Sequence, residues 1–123
     1  MSSEALHERE EVLSVETRDL HRAIVSLREE LEAVDWYQQR AEACADPELR
    51  AVLLHNKNEE IEHAMMVLEW IRRHDATFDK NIATYIRSEG PIVGVEKVAS
   101  GGEGAGTASA STSLGVGSLK GAK

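Results

Sequence analysis

Residues 46–76, DPELRAVLLHNKNEEIEHAMMVLEWIRRHDA, decide the fold. Asp46-Pro47-Glu48 is a helix start. Asp46 can accept from the free amides of a first turn, Pro47 needs no N–H there, and Glu48 favours the positive end of the helix dipole. From that start Leu49, Leu53, Asn56, Glu60, His63, Val67 and Trp70 recur at steps of three and four, which predicts a helix over 47–73 with three polar residues inside its apolar line. A second apolar line, Leu54, Ile61, Met65 and Leu68, runs along another face. Two helices packed side by side shield only one face of each, so a helix apolar on two sides needs further partners. The chain is therefore expected to oligomerise.

Working upstream, a helix must end just before Asp46, and residues near 10–44 are rich in Ala, Leu, Glu and Arg, which favour helix. Leu20, Ile24, Leu27, Leu31 and Val34 alternate steps of four and three, the seam of an antiparallel hairpin. Downstream, Asp75 is a second N-cap residue, opening a short helix over 76–88, and Gly90-Pro91 is a stop. The expected architecture is all-α: a two-helix hairpin with a short C-terminal helix over residues 1–90, its four-helix bundle completed by dimerisation.

Composition divides the 123 residues at the same place. Residues 1–89 carry 11 Lys/Arg and 20 Asp/Glu, a net of −9, and residues 90–123 carry three and two, a net of +1; all nine glycines lie in the second part. Residues 91–112 read as a flexible Gly/Ser/Ala/Thr-rich linker and 113–123 as a terminal peptide. The acidic part would repel phosphates, so neither nucleic acid nor an anionic membrane is an expected partner, and cations are. The longest apolar runs, AVLL at 51–54 and AMMVL at 64–68, are far short of the roughly 20 residues of a membrane span. With no secretory signal in MSSEALHEREE and a single cysteine, Cys44, a reducing cytoplasmic location is expected.

Glu60 and His63 form a Glu-x-x-His pair whose side chains leave one helix face and can share a metal. The motif alone is common in so acidic a chain, and Glu4 and His7 make another; position on the apolar seam, where a carboxylate without a partner is costly, singles out Glu60 and His63. Glu30 lies beside the seam of the first helix. It stands about as far before the hairpin turn as Glu60 stands after it, so at about 1.5 Å per residue the two face each other. A di-iron carboxylate centre in a four-helix bundle takes a Glu from each of two helices and a Glu-x-x-His from each of the other two. This chain supplies one of each, half a centre, which two copies about a two-fold axis would complete. Oxygen-rich ligation with one imidazole per metal suits iron or manganese, and paired iron that reduces O₂ makes oxidation of Fe(II) the expected reaction. The alternative is a non-catalytic helical adaptor whose acidic seam binds cations or partners; a single-chain rubrerythrin-like bundle lacks room for its four long helices.

The segments REELEAVDWYQQRAEACADPEL (28–49), HNKNEEIEHAMMVLEWIRRHDA (55–76) and SLGVGSLKG (113–121) resemble the encapsulated ferritins, ferritin-like cargo of bacterial encapsulin shells. The resemblance implies an annular decamer of helical hairpins, a ferroxidase with di-iron centres at a subunit interface, and iron storage inside an encapsulin nanocompartment in the bacterial cytoplasm. It matches Glu30, Glu60 and His63 to the ferroxidase ligands, Glu29 and Glu32 to an acidic site where iron enters, and Trp36 and Tyr37 to aromatics flanking the centre. It makes residues 113–123 a cargo-loading peptide, with Val116 and Lys120 where the motif often carries Ile and Arg. Duller readings hold elsewhere: His55 with Glu59 or Glu62 is an exposed helical pair, Met65 and Met66 are core or interface filler, Cys44 has no redox work, and His21 and His74 carry no assignment.

Overall fold

The computed structural model describes residues 5–101. Within them lie a single 3-10 turn, Glu10–Val12, and four α-helices: α1 (Val15–Ala43), α2 (Pro47–His74), α3 (Ala76–Tyr85) and α4 (Ile92–Gly101); there is no strand among the described residues. The chain divides into two units, 1–79 and 80–123, with the boundary inside α3. No helix of the described residues is long and apolar enough to cross a membrane. Glu4 of the second Glu-x-x-His pair, the linker beyond residue 101 and the peptide 113–123 lie outside the described residues.

The first helix starts later than the expected residue 10. Ser14 caps α1 by accepting from the Thr17 amide at 3.0 Å, so the helix begins at Val15. The preceding turn is tied to it where Arg18 donates to the Glu10 carbonyl at 3.1 Å. At the other end the hairpin turn is closed by side chains on both sides. Asp46 accepts from the Leu49 amide at 2.7 Å to cap α2, and the Arg50 guanidinium donates through Nε, at 3.1 Å, and Nη2 to the carbonyl of Cys44, which ends α1. Helix termini leave carbonyls without intrahelical partners, and Arg50 supplies one.

α1 and α2 pack along most of their length as an antiparallel pair. The inward line of α1 is Leu20, Ala23, Leu27, Glu30, Val34, Tyr37 and Ala41, at steps of three and four; that of α2 is Leu53, Asn56, Glu60, Ala64, Val67 and Ile71. This phase differs from the expected one. Ile24 and Leu31, taken as seam residues, are 36% and 51% exposed, while Ala41, Ala64 and Ile71 are the buried residues of the described chain. The buried alanines Ala41 and Ala64 favour close approach of the helices, and Ile24 and Leu31 lie on the flank of the seam. Glu30 therefore stands on the seam itself rather than beside it. Leu31, Leu54, Ile61 and Met65 remain exposed, the uncovered apolar surface that the two-sided patterning of α2 implied.

Past α2, Asp75 caps α3 by accepting from the Phe78 amide at 2.9 Å. Arg72 bridges the corner, donating to both carboxylate oxygens of Glu69 at 2.8 and 2.9 Å and to Asp79 at 2.7 Å, while Arg73 adds a bond to Glu69 at 2.7 Å. α3 stops at Tyr85, three residues short of the expected 88, because Arg87 takes a left-handed conformation at φ 67° that no helix continues through. Gly90, at φ 82°, completes the stop with Pro91. Residues Ile92–Gly101 are then helical, where a flexible linker was expected from residue 91. Pro91 accepts from the Val95 amide at 3.1 Å, and Ile92, Val95 and Val98 fall one turn apart on one side of α4. That apolar periodicity outweighs the glycines on which the linker reading rested.

Candidate metal centre

Halfway along the hairpin, α1 presents Glu30 and α2 presents Glu60 and His63. The equal lengths of the two arms bring them together: Glu30 lies 14 residues before Cys44 and Glu60 lies 14 after Asp46. One potential ligand atom from each of the three side chains lies within 4.8 Å of the others. His63 Nδ1 is 3.4 Å from Glu60 Oε1 and 3.9 Å from Glu30 Oε1. The two carboxylates are about a quarter exposed, at 26% and 25%, and the imidazole is 45% exposed.

Two carboxylates this close cannot both ionise freely. The Glu30 carboxyl is held above its ordinary value, first by the hydrogen bond it shares with Glu60, then by burial, then by the negative charge of Glu60; His63 opposes the shift. No arginine or lysine among the described residues is ion-paired with Glu30 or Glu60. The donor set is hard oxygen plus one imidazole, suited to iron or manganese. It is partly open to solvent, the imidazole most of all.

Glu29 and Glu32 are exposed and do not join the cluster. Trp36 is 48% exposed and Tyr37 half-buried, and the Arg40 guanidinium lies over both rings, 5.8 and 5.5 Å from their centroids. Sequence reasoning missed Arg40, although its i+4 and i+3 offsets from the two aromatics were available. The expected exposed pair of His55 with Glu59 is present, His55 Nε2 lying 4.0 Å from Glu59, but sequence reasoning missed that Glu59 also reaches His63 Nε2, at 4.0 Å and the same i, i+4 spacing. His74 is the last residue of α2, stacked on Trp70 with centroids 3.9 Å apart and its Nδ1 2.7 Å from the Trp70 carbonyl. His21 is half-buried.

A Glu on one helix facing a Glu-x-x-His on its antiparallel neighbour is the arrangement that ferritin-like carboxylate proteins use in their metal-binding bundles. The EncFtn-like family profile matches residues 5–89, and the chain belongs to that family. It is 54% identical to the encapsulated ferritin-like protein of Rhodospirillum rubrum, over 98% of this chain and 91% of that protein. A ferritin-like protein of Thermotoga maritima is 45% identical over 78% of this chain and 84% of its own length. Among solved structures, protein ne0167 from Nitrosomonas europaea superposes with a TM-score of 0.69 at 59% identity, covering 72% of this chain and 97% of that one. The function of the chain is thus ferritin-like and iron-related.

Proposed function

We propose that the chain is a ferroxidase that oxidises Fe(II) to Fe(III) with O₂ at a di-iron centre shared by two copies. The observation that carries this reading is the convergence of Glu30, Glu60 and His63 within 4.8 Å on a face that a single chain leaves open. Two such half-sites about a two-fold axis hold two irons with four carboxylates and two imidazoles, and the second copy covers exposed apolar residues such as Ile61 and Met65. Fe(II) is the substrate and O₂ the electron acceptor. Glu30 and Glu60 ligate iron through oxygen, and the cation relieves the like-charge repulsion between them. His63 supplies the neutral ligand. Glu29 and Glu32, exposed and one turn apart on α1, raise the local Fe(II) concentration, and Trp36 and Tyr37 flank the centre.

The assembly reading is a dimer as building block and a decameric ring, housed in an encapsulin shell in the bacterial cytoplasm that receives the Fe(III) for storage. It is supported by the near full-length similarity to a protein named encapsulated ferritin-like, and by the apolar Leu114, Val116 and Leu119 spaced by Gly and Ser in 113–121. Several weak tails on one ring would bind through multivalency.

Anaerobic Fe(II) addition followed by air tests the chemistry. Ferric absorbance should develop rapidly with the wild-type chain and no faster than buffer with Glu60→Ala; wild-type oxidation by that variant overturns the assignment in favour of a cation-binding adaptor. Deleting residues 113–123 should leave oxidation intact and stop co-purification with a co-expressed shell. Continued encapsulation at the wild-type level refutes the docking role.

A further inference from the structure

Lys57 is the single lysine of residues 1–79, and it stands one turn before Glu60 on α2. On its own helix, Glu60 at i+3 is the carboxylate within ordinary reach, and a Lys–Glu pair at that spacing is a favourable helical contact. The pair does not form. The Lys57 ammonium instead crosses the hairpin to donate to Gln38 Oε1 on α1 at 2.8 Å, and among the described residues it makes no ion pair. The residue is half-buried, and its ammonium meets Gln38 in a bond that solvent reaches. A neutral amide holds the ammonium there without neutralising either carboxylate of the centre. Glu60 is left with Glu30 and His63 as its neighbours.

We infer that Gln38 is a positioning residue for the metal centre: by holding the Lys57 ammonium on the opposite helix it keeps a built-in cation off Glu60 and leaves that carboxylate to the metal. The inference rests on the reading of Glu30, Glu60 and His63 as metal ligands. Its physical content is competition. An ammonium released from Gln38 falls back on Glu60, and the metal must then displace an ion pair before it can bind.

The test is anaerobic calorimetry of Fe(II) binding to the full chain, with thermal unfolding of the metal-free protein alongside. Gln38→Met keeps length and helix propensity but removes the acceptor, and should weaken Fe(II) binding about three- to five-fold, the size of a partly exposed ion pair. The loss should shrink at high salt, because that pair is screened. Lys57→Met should bind Fe(II) at least as tightly as the wild type, and the double variant should recover what Gln38→Met lost. If the Lys57–Gln38 bond served only to hold the helices together, both single variants would weaken binding alike and the double variant would be no better; that pattern overturns the inference. Glu60→Ala in the same titration separates the two levels. If it binds Fe(II) as the wild type does, the ligand assignment itself falls, whereas loss of binding there with no recovery in the double variant refutes the role of Gln38 alone.

Discussion

Replacing Glu30 by Gln should make the protein more stable without metal and less stable with it. Ligand atoms of Glu30 and Glu60 lie within 4.8 Å. At that separation two full charges repel by about 0.9 kcal/mol in bulk water and by about 3.5 kcal/mol at an effective dielectric of 20. Both side chains are only about a quarter exposed, so water screens them incompletely, but His63 offsets part of the repulsion. A relief of about 1 kcal/mol follows, which raises the midpoint of a domain of this size by about 4–8 °C. In the presence of Fe(II) at about 100 times its Kd, the wild type gains about 2.7 kcal/mol from binding, and a variant lacking one carboxylate ligand gains little. The order of stability therefore inverts between chelator and anaerobic Fe(II). The pH dependence has a definite sign. A carboxyl raised above its ordinary value of 4.5 leaves the fold fully stable below that value and destabilises it as pH rises through the raised one. The advantage of the Gln variant in chelator should accordingly vanish below about pH 4.5. Circular dichroism melts in the two buffers, repeated across pH, measure all of this; a variant that melts below the wild type in chelator refutes the like-charge account.

Arg50→Ala removes both guanidinium bonds to the Cys44 carbonyl and should cost about 1 kcal/mol, read as a lower denaturant midpoint with an unchanged slope. The Glu69 carboxyl is held down to about 2 by hydrogen bonds from Arg72 and Arg73. A depressed pKa contributes stability that is present above 4.5 and lost as pH falls toward 2, so Glu69→Gln should flatten the acid limb of the stability profile in that window. Neutralising Glu29 and Glu32 together should slow Fe(II) oxidation at low salt while the stoichiometry of bound iron is kept; equal rates at every ionic strength would make them a solvated face with no part in iron uptake.

Much of the hairpin was legible because its determinants are local. Asp46-Pro47, Asp75 and Gly90-Pro91 act on backbone groups a few residues away, and the structure uses each as a cap or a stop. The height match of Glu30 and Glu60 was legible for the same reason, since two helices of fixed rise joined by a short turn can be measured by counting residues. α4 was not, because glycine content concealed a three-residue apolar repeat.

What the residues determined by themselves was the material of the protein: helices separated by capped breaks before Gly90, an acidic surface, and a Glu and a Glu-x-x-His at equal distance from a turn. What only the tertiary structure decided was phase. Leu20, Ile24, Leu27, Leu31 and Val34 and the line Ala23, Leu27, Glu30 and Val34 are both acceptable stripes on an isolated helix, since each satisfies the three-four alternation. The choice between them depends on how closely two helices approach, and Ala41 and Ala64 permit an approach that Ile24 and Leu31 would obstruct. That phase puts Glu30 on the seam against Glu60 and His63, sends Lys57 to Gln38, and turns Leu31, Ile61 and Met65 outward. Packing distance is a property of two helices together, so no periodicity within one of them could have specified it.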